Sequence, residues 1–117
     1  MIRAANGLSD ESARDARFQP GALVKHRRYG YRGVVVAVDL RCMADDAWYQ
    51  KNKTQPSRDQ PWYHVLVDKG QHTTYAAEEN LSRDDLSVPI DHPWIELFFL
   101  AFSHGAYVRN DRPWSFE

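Results

Sequence analysis

A chain of 117 residues is the length of one domain, and its 43% hydrophobic and 13% aromatic residues are enough for a core. The net charge of −1 excludes a protein that coats nucleic acid non-specifically, so any nucleic-acid site must be local. The single cysteine, Cys42, excludes an intramolecular disulfide and a four-cysteine zinc site. Together with the lack of a long apolar run, it predicts a cytoplasmic protein without a membrane partner.

The first part of the chain changes character near residue 18. Residues 1–17 are small and polar without a period that buries a face, which predicts a flexible N-terminal arm. Residues 18–90 instead contain short apolar runs separated by turn signals. A first strand is predicted to end near Arg27, a hairpin tip falls at Tyr29 and Gly30, and a β-branched run predicts a strand over about 31–39.

The middle of the chain continues this pattern after one insertion. Asp45 and Asp46 precede Lys51 and Lys53, an order that complements a helix dipole and predicts one or two helical turns. A strand follows the next polar loop, and Gly70 is expected to take the left-handed position of the hairpin turn after it. Four or five short strands with one insertion predict a mainly β fold, a small SH3-like antiparallel β-barrel.

Residues 91–117 are predicted to form a hydrophobic C-terminal helix and tail. Pro93 near the start and Gly105 past the end delimit a helix of about eleven residues. Its apolar side chains are too many for one stripe, so either the barrel or another chain must cover a second side. This predicts a protein-interaction surface, with a homo-oligomer as one form of it, at Trp94, Phe98, Phe99 and Phe102.

The chain lacks the local signatures of catalysis. It has no nucleophile elbow, no phosphate-binding loop and no zincin motif, and its five histidines do not fall at metal-ligand spacings. The sequence therefore predicts no enzyme, no metal and no cofactor. Seven tyrosine and tryptophan residues lie in the predicted barrel region, where small barrels often bind ligands. At least half of them are expected in the core, with Tyr29 and Tyr31 the best candidates for exposure.

Positive charge is concentrated near the first hairpin. Residues 1–32 carry seven cations and three anions, whereas residues 33–117 carry eight cations and thirteen anions. A basic tip of this kind can reach phosphates, although charges also commonly keep a solvated strand edge from aggregating. The candidate nucleic-acid-binding residues are Lys25, His26, Arg27, Arg28, Tyr29 and Arg32.

Two motifs carry a family resemblance. The pattern V-x-H-x-x-x-G-Y-x-G-V-V runs from Val24 to Val35, and P-W-Y-H-V-L runs over 61–66, with Y-x-A-E-x-x-L following over 75–81. In this order they resemble the HspQ/YccV family, also called the hemimethylated DNA-binding domain. The resemblance covers roughly residues 18–86.

The resemblance implies an SH3-like barrel without catalytic activity that binds hemimethylated DNA. It also implies an alternative role as an adaptor or accessory factor that modulates an ATP-dependent protease of the Lon type in heat-shock proteolysis. In that role the protease and its substrates would be the partners. It assigns no binding residues, so the candidates above rest on physical reasoning. The hydrophobic tail differs from the charged tail of better-known members, which leaves the partner and the oligomeric state open.

Overall fold

The computed structural model describes residues 16–115, so the predicted N-terminal arm lies outside the described residues except for its last two positions. Within the described range no helix is long and apolar enough to cross a membrane. The elements in chain order are β1 (Leu23–His26), β2 (Arg32–Asp39), α1 (Asp46–Lys51), β3 (Trp62–Val67), β4 (Thr73–Ala77), a 3-10 turn (Glu78–Asn80), β5 (Leu81–Arg83), α2 (Ile95–Phe98), β6 (Phe99–Ser103) and β7 (Ala106–Arg109).

Two antiparallel sheets account for the fold. Five strands form one sheet in the order β4-β3-β2-β1-β5, and β6 pairs with β7 in the other. The predicted mainly β class is therefore confirmed. In the sheets formed by the described residues, β4 and β5 are the two edges of the larger sheet and are not paired with each other, so no closed barrel is observed.

The larger sheet is nevertheless strongly curved. A flat sheet of five strands would separate its edge strands by roughly 19 Å, because neighbouring strands lie about 4.8 Å apart. The chain leaves one edge at Ala77 and enters the other at Leu81 through the 3-10 turn, a path that spans at most about 14 Å. The sheet must therefore curl to bring its edges together, and a bulge between Val35 and Ala37 in β2 assists the bend.

The valine run in β2 is covered on both faces, as its unbroken apolar character predicts. Val35 lies in one cluster with Tyr63 and Val65, while Val34 lies in a second cluster with Leu66. A third, smaller cluster surrounds the fully buried indole of residue 62. The described chain thus has apolar layers on both sides of its central strands.

The predicted eleven-residue C-terminal helix is wrong. α2 contains only Ile95–Phe98, and the chain continues directly into the β6–β7 hairpin. His104 and Gly105 join the two strands with φ angles of 53° and 78°, the pair of positive values required by a tight two-residue hairpin turn. Gly105 suits a helix end and a hairpin turn equally well, and the aromatic-rich segment before it has high strand propensity.

A second correction concerns the β3–β4 turn. Lys69 takes the left-handed position with a φ angle of 63°, whereas Gly70 is not among the residues with positive φ. A Cβ atom at Gly70 would lie only 3.0 Å from the ring of His72. The glycine therefore permits a close approach to that ring and does not supply the left-handed conformation.

The C-terminal hairpin is joined to the start of the larger sheet at Gly21. The Tyr107 amide donates to the Gly21 carbonyl over 2.9 Å, and the Gly21 amide donates to Val35. Gly21 has a φ angle of +102°, and a Cβ atom there would collide with the Tyr107 carbonyl. Only glycine satisfies both conditions without strain, so this position fixes how the two sheets meet.

Candidate functional site

The candidate basic tip is the loop between β1 and β2. The His26 amide donates to Tyr31 over 2.8 Å and the Gly30 amide donates to the His26 carbonyl over 2.9 Å, which closes the loop. The cations Lys25, Arg27 and Arg28 are exposed, and the Tyr29 ring beside them is 55% exposed. Three cations and one aromatic ring of the predicted site are therefore exposed at this loop and at the adjoining end of β1, and the Arg28 guanidinium lies 6.0 Å from the Tyr29 ring.

His26 lies beneath this surface and not on it. Its side chain is buried, and its Nδ1 accepts hydrogen bonds from the backbone amides of Arg28 and Tyr29 at 3.1 and 3.0 Å. Its ring stacks against Tyr29 and Tyr31 with centroid distances of 4.7 and 5.1 Å. His26 therefore positions the tip, and its Nδ1 is occupied by the two loop amides and does not face a ligand.

Arg32 has intramolecular partners on every side of its guanidinium. Nη1 lies 3.0 Å from Asp68 Oδ2, Nε donates to Asp84 Oδ2 over 2.8 Å, and Nη2 donates to the Val88 carbonyl over 2.7 Å. Arg27 is also held in part, because its Nε donates to the Leu81 carbonyl over 3.2 Å. Unlike Arg32, however, Arg27 remains on the surface.

An uncharged cleft of about 430 Å³ adjoins the tip. One wall contains Tyr29 and Tyr31, and the other contains Trp48 from α1 together with Tyr75 from β4. The Trp48 ring packs edge-on against Tyr75, with a centroid distance of 5.6 Å. Sequence reasoning singled out these rings individually but missed the cleft, because it depends on how the insertion packs against β4.

The polar groups around this cleft are tied into structural networks. The Tyr75 hydroxyl donates to Asp39 Oδ2 over 2.6 Å, and His64 Nε2 lies 3.2 Å from the same oxygen. Burial, followed by the hydrogen bond to Asp39, raises the pKa of the Tyr75 phenol. Burial, followed by a hydrogen bond to Glu78, likewise raises the pKa of Tyr63. Across residues 16–115 no group of three acidic, histidine or cysteine side chains is placed to hold a metal ion.

The predicted protein-interaction residues separate into two groups. Phe98 and Phe99 are buried in the core of this chain at 0% and 5% exposure, whereas Trp94 and Phe102 are half-buried. Among the C-terminal residues described up to position 115, the large exposed apolar side chains are aliphatic: Leu97, Leu100 and Val108. Sequence reasoning missed them because exposure in this segment follows the short helix α2 and the β6–β7 hairpin, and not the predicted eleven-residue helix.

Comparison with known proteins identifies the class. The model of a family described as "Hemimethylated DNA-binding protein YccV like" matches residues 16–106, so the chain belongs to the YccV-like family of binding modules. F-box only protein 21 from Homo sapiens and from Pongo abelii is 35% identical over 105 residues, and the mouse protein, from Mus musculus, is 34% identical. Each alignment covers 87% of this chain but only 17% of the relative, so the chain spans about a sixth of those proteins.

Stability is expected to fall as the pH drops from 7.5 to 5.5. Burial lowers the pKa of His26, His64 and His92 below the ordinary 6.5, with Arg28 adding to the effect at His26 and Asp39 opposing it at His64. Because the unfolded histidines bind protons more tightly, their contribution is complete above pH 6.5 and is lost as the pH falls through the lowered values. Urea midpoints across this range measure the slope.

His26→Gln is expected to reduce that slope, since it removes one of the three histidines whose pKa is lowered. A stability that is constant or rises on acidification between pH 7.5 and 5.5 would contradict the assignment. Restricting the titration to this range limits the contribution of carboxylates, whose ordinary pKa values lie near 4.

Proposed function

We propose that the protein is a non-catalytic module that binds DNA, in particular hemimethylated DNA, through the β1–β2 tip. The proposal is carried by one observation, the three exposed cations Lys25, Arg27 and Arg28 beside the exposed ring of Tyr29, in a chain of the YccV-like family. His26 is proposed to hold this tip in shape, and Arg32 is left out of the contact set because carboxylates engage its guanidinium.

The charge arrangement limits the affinity. Three phosphate contacts release about three counterions, and each contributes roughly 0.9 to the slope of log K against log salt. The expected slope of about −2.7 is small beside that of proteins with six to ten contacts. A net charge of −1 adds no long-range attraction, so binding depends on the tip itself.

The double variant Arg27→Ala/Arg28→Ala is expected to lower the salt slope by about 2 and to weaken binding to a hemimethylated duplex. Arg41→Ala/Arg112→Ala is the control with the same charge change, since both residues are exposed and Arg41 follows the far end of β2. Fluorescence anisotropy at several salt concentrations measures both. Equal losses in the two variants would remove the tip from the proposal.

The same assay with unmethylated, hemimethylated and fully methylated duplexes of one sequence tests the preference for hemimethylation. The hemimethylated duplex is expected to bind most tightly. Equal affinity for all three would remove the methylation preference and leave only a DNA-binding module.

A second candidate function is that of an adaptor or accessory factor for an ATP-dependent protease of the Lon type. The observation that favours it is the aliphatic surface of Leu97, Leu100 and Val108 on the C-terminal segment. Leu100→Ser/Val108→Ser is expected to abolish any change in substrate turnover that the unmodified protein causes in a degradation assay. Unchanged turnover with the unmodified protein would overturn this candidate, and a monomeric solution mass would exclude a homo-oligomer formed through the same surface.

Two finer assignments are also proposals. The five-stranded sheet, with its edges linked by one 3-10 turn, supports an SH3-like barrel as the class of fold. A cytoplasmic location is supported by the lone buried thiol of Cys42, which is typical of a reducing compartment.

A further inference from the structure

The outer edge of β4 has backbone groups that no strand of residues 16–115 pairs. β4 is an edge strand whose one neighbour in the described sheet is β3. The Val67 amide donates to His72 and the Glu78 amide donates to Pro61, which fixes the alternation along the β3–β4 ladder. Thr74 and Ala76 therefore direct their backbone groups to β3, while Thr73 and Tyr75 direct theirs to the open side.

The uncharged cleft lies over this open edge. It is lined by all five consecutive residues of β4, Thr73–Ala77. Successive side chains point to opposite faces of a strand, and the cleft contains rings on both faces of β4. The Trp48 ring packs against Tyr75 at 5.6 Å, and the Tyr31 hydroxyl lies 2.7 Å from Thr74 Oγ1. The wall at Trp48 belongs to one face, and the wall at Tyr29 and Tyr31 belongs to the other.

The lining chemistry selects the occupant. No lysine, arginine, aspartate or glutamate of the described chain lines the cleft, so it does not complement a polyanion such as a nucleic-acid backbone. Its rings and neutral hydroxyl and amide groups complement uncharged side chains. An exposed strand edge offers backbone donors and acceptors in the spacing that an extended polypeptide matches.

We propose that this cleft binds an extended, uncharged peptide segment of a partner protein by adding a strand to the open edge of β4. The segment pairs with the backbone groups of Thr73 and Tyr75, which requires about five residues. Its side chains alternate between the Trp48 wall and the wall of Tyr29 and Tyr31, and an apolar or aromatic side chain suits each. The proposal concerns the cleft beside the basic tip, which shares the ring of Tyr29 with the tip but none of its cations, and it does not depend on DNA binding.

Hydrogen exchange of the full chain tests whether the edge is open. The Tyr75 amide is expected to exchange rapidly in the free protein, whereas the Thr74 and Ala76 amides, which face β3, exchange slowly. Slow exchange at Tyr75 in the free protein would overturn the proposal, because the edge would already be occupied by this chain or by a second copy.

Selection from a displayed library of random heptapeptides on the full-length protein supplies the probe. Enriched peptides are expected to be uncharged, to carry apolar or aromatic side chains at alternate positions, and to slow Tyr75 exchange. The proposal is overturned by an absence of enrichment, by enrichment of acidic peptides, or by peptides that leave Tyr75 exchange unchanged. It is also overturned if a single-stranded oligonucleotide protects this amide and the peptides do not.

Backbone methylation of a selected peptide separates strand addition from side-chain binding alone. Only alternate amides of an added strand face β4. Methylating these amides is expected to weaken binding at least tenfold, whereas methylating the amides between them is expected to weaken it less than twofold. Equal effects of the two sets of methylations would overturn strand addition.

Trp48→Ala and Tyr29→Ala remove one wall each and are expected to weaken peptide binding about tenfold. Both side chains are more than one-third exposed, and unchanged thermal unfolding verifies the fold of each variant. Leu86→Ala, which removes an exposed side chain outside the cleft, is the control and is expected to bind normally. Arg27→Ala/Arg28→Ala is expected to retain peptide binding, so failure of the DNA proposal and failure of this one are distinguishable.

Discussion

Arg32→Ala is expected to lower the free energy of unfolding by about 3–5 kcal/mol, the usual cost of removing one partner from a buried ion pair. The carboxylates of Asp68 and Asp84 are 7% and 4% exposed, and the guanidinium between them is 16% exposed. The substitution leaves two charges in a poorly solvated site without their cation. It also removes the donor to the carbonyl of Val88.

The position of Arg32 explains why the effect extends beyond one contact. It begins β2, Asp68 follows β3, and Asp84 follows β5, so the guanidinium connects the central strands to the loop after an edge strand. Arg32→Lys is expected to recover only part of the loss, because an ammonium group cannot reproduce the planar fork.

Lys25→Ala removes an exposed cation directly opposite Arg32 in the β1–β2 ladder; it is the control and is expected to change stability by less than about 0.5 kcal/mol. Urea unfolding at pH 7.5 measures all three variants. A loss of less than about 1 kcal/mol for Arg32→Ala would show that water replaces the arginine, and the ion-pair argument would then be wrong.

Phe98→Ala is expected to cost about 3–5 kcal/mol, the range for removing a large ring from a packed core. Phe98 is fully buried in the cluster that contains Val34 and Leu66, and the Arg109 guanidinium lies over its ring at 5.0 Å. The substitution therefore leaves a cavity between the two sheets. A hydrophobic residue that is fully buried in the core of its own chain stabilises the fold even when no partner is present.

Leu100→Ala, two residues further along the chain in β6, is the matched control. Its side chain is 71% exposed, so its removal is expected to change stability by less than about 0.5 kcal/mol. The unfolding midpoint of the unmodified protein is expected to be independent of protein concentration. A midpoint that rises with concentration, together with a small effect of Phe98→Ala, would mean that a second chain covers this segment.

Sequence reasoning predicted the strands around the first hairpin because their signals are local. Gly30 and Gly33 mark the turn, and the valine run marks the buried strand. The acidic start of α1 marks a helix N-terminus, where Asp45 accepts a hydrogen bond from the Trp48 amide as the cap. The family assignment rests on the same local motifs. These features depend on residues only a few positions apart in the chain.

The C-terminal hairpin was not predictable in this way, because an apolar run with a terminal glycine fits two structures equally well. The choice is made by tertiary contacts, above all the pairing of Tyr107 with Gly21. The role of Arg32 was hidden for a similar reason, since its partners lie 36 and 52 residues away.

The burial of His26 had a local signal that could have been used. Its Nδ1 accepts from amides two and three residues ahead, an arrangement set by the four-residue spacing between His26 and Gly30 in the V-x-H-x-x-x-G motif. A histidine at the base of a tight loop caps that loop as a serine or aspartate caps a helix. The motif therefore encodes the shape of the tip as well as its charge.

The hydrogen bond between Gly21 and Tyr107 brings the segment that precedes β1 beside β7, the last strand of the described chain. A unit with adjacent entry and exit can be inserted into a surface loop of a host protein without separating the two ends of that loop. The segment before β1 and strand β7 lie side by side in the described fold, as such an insertion requires.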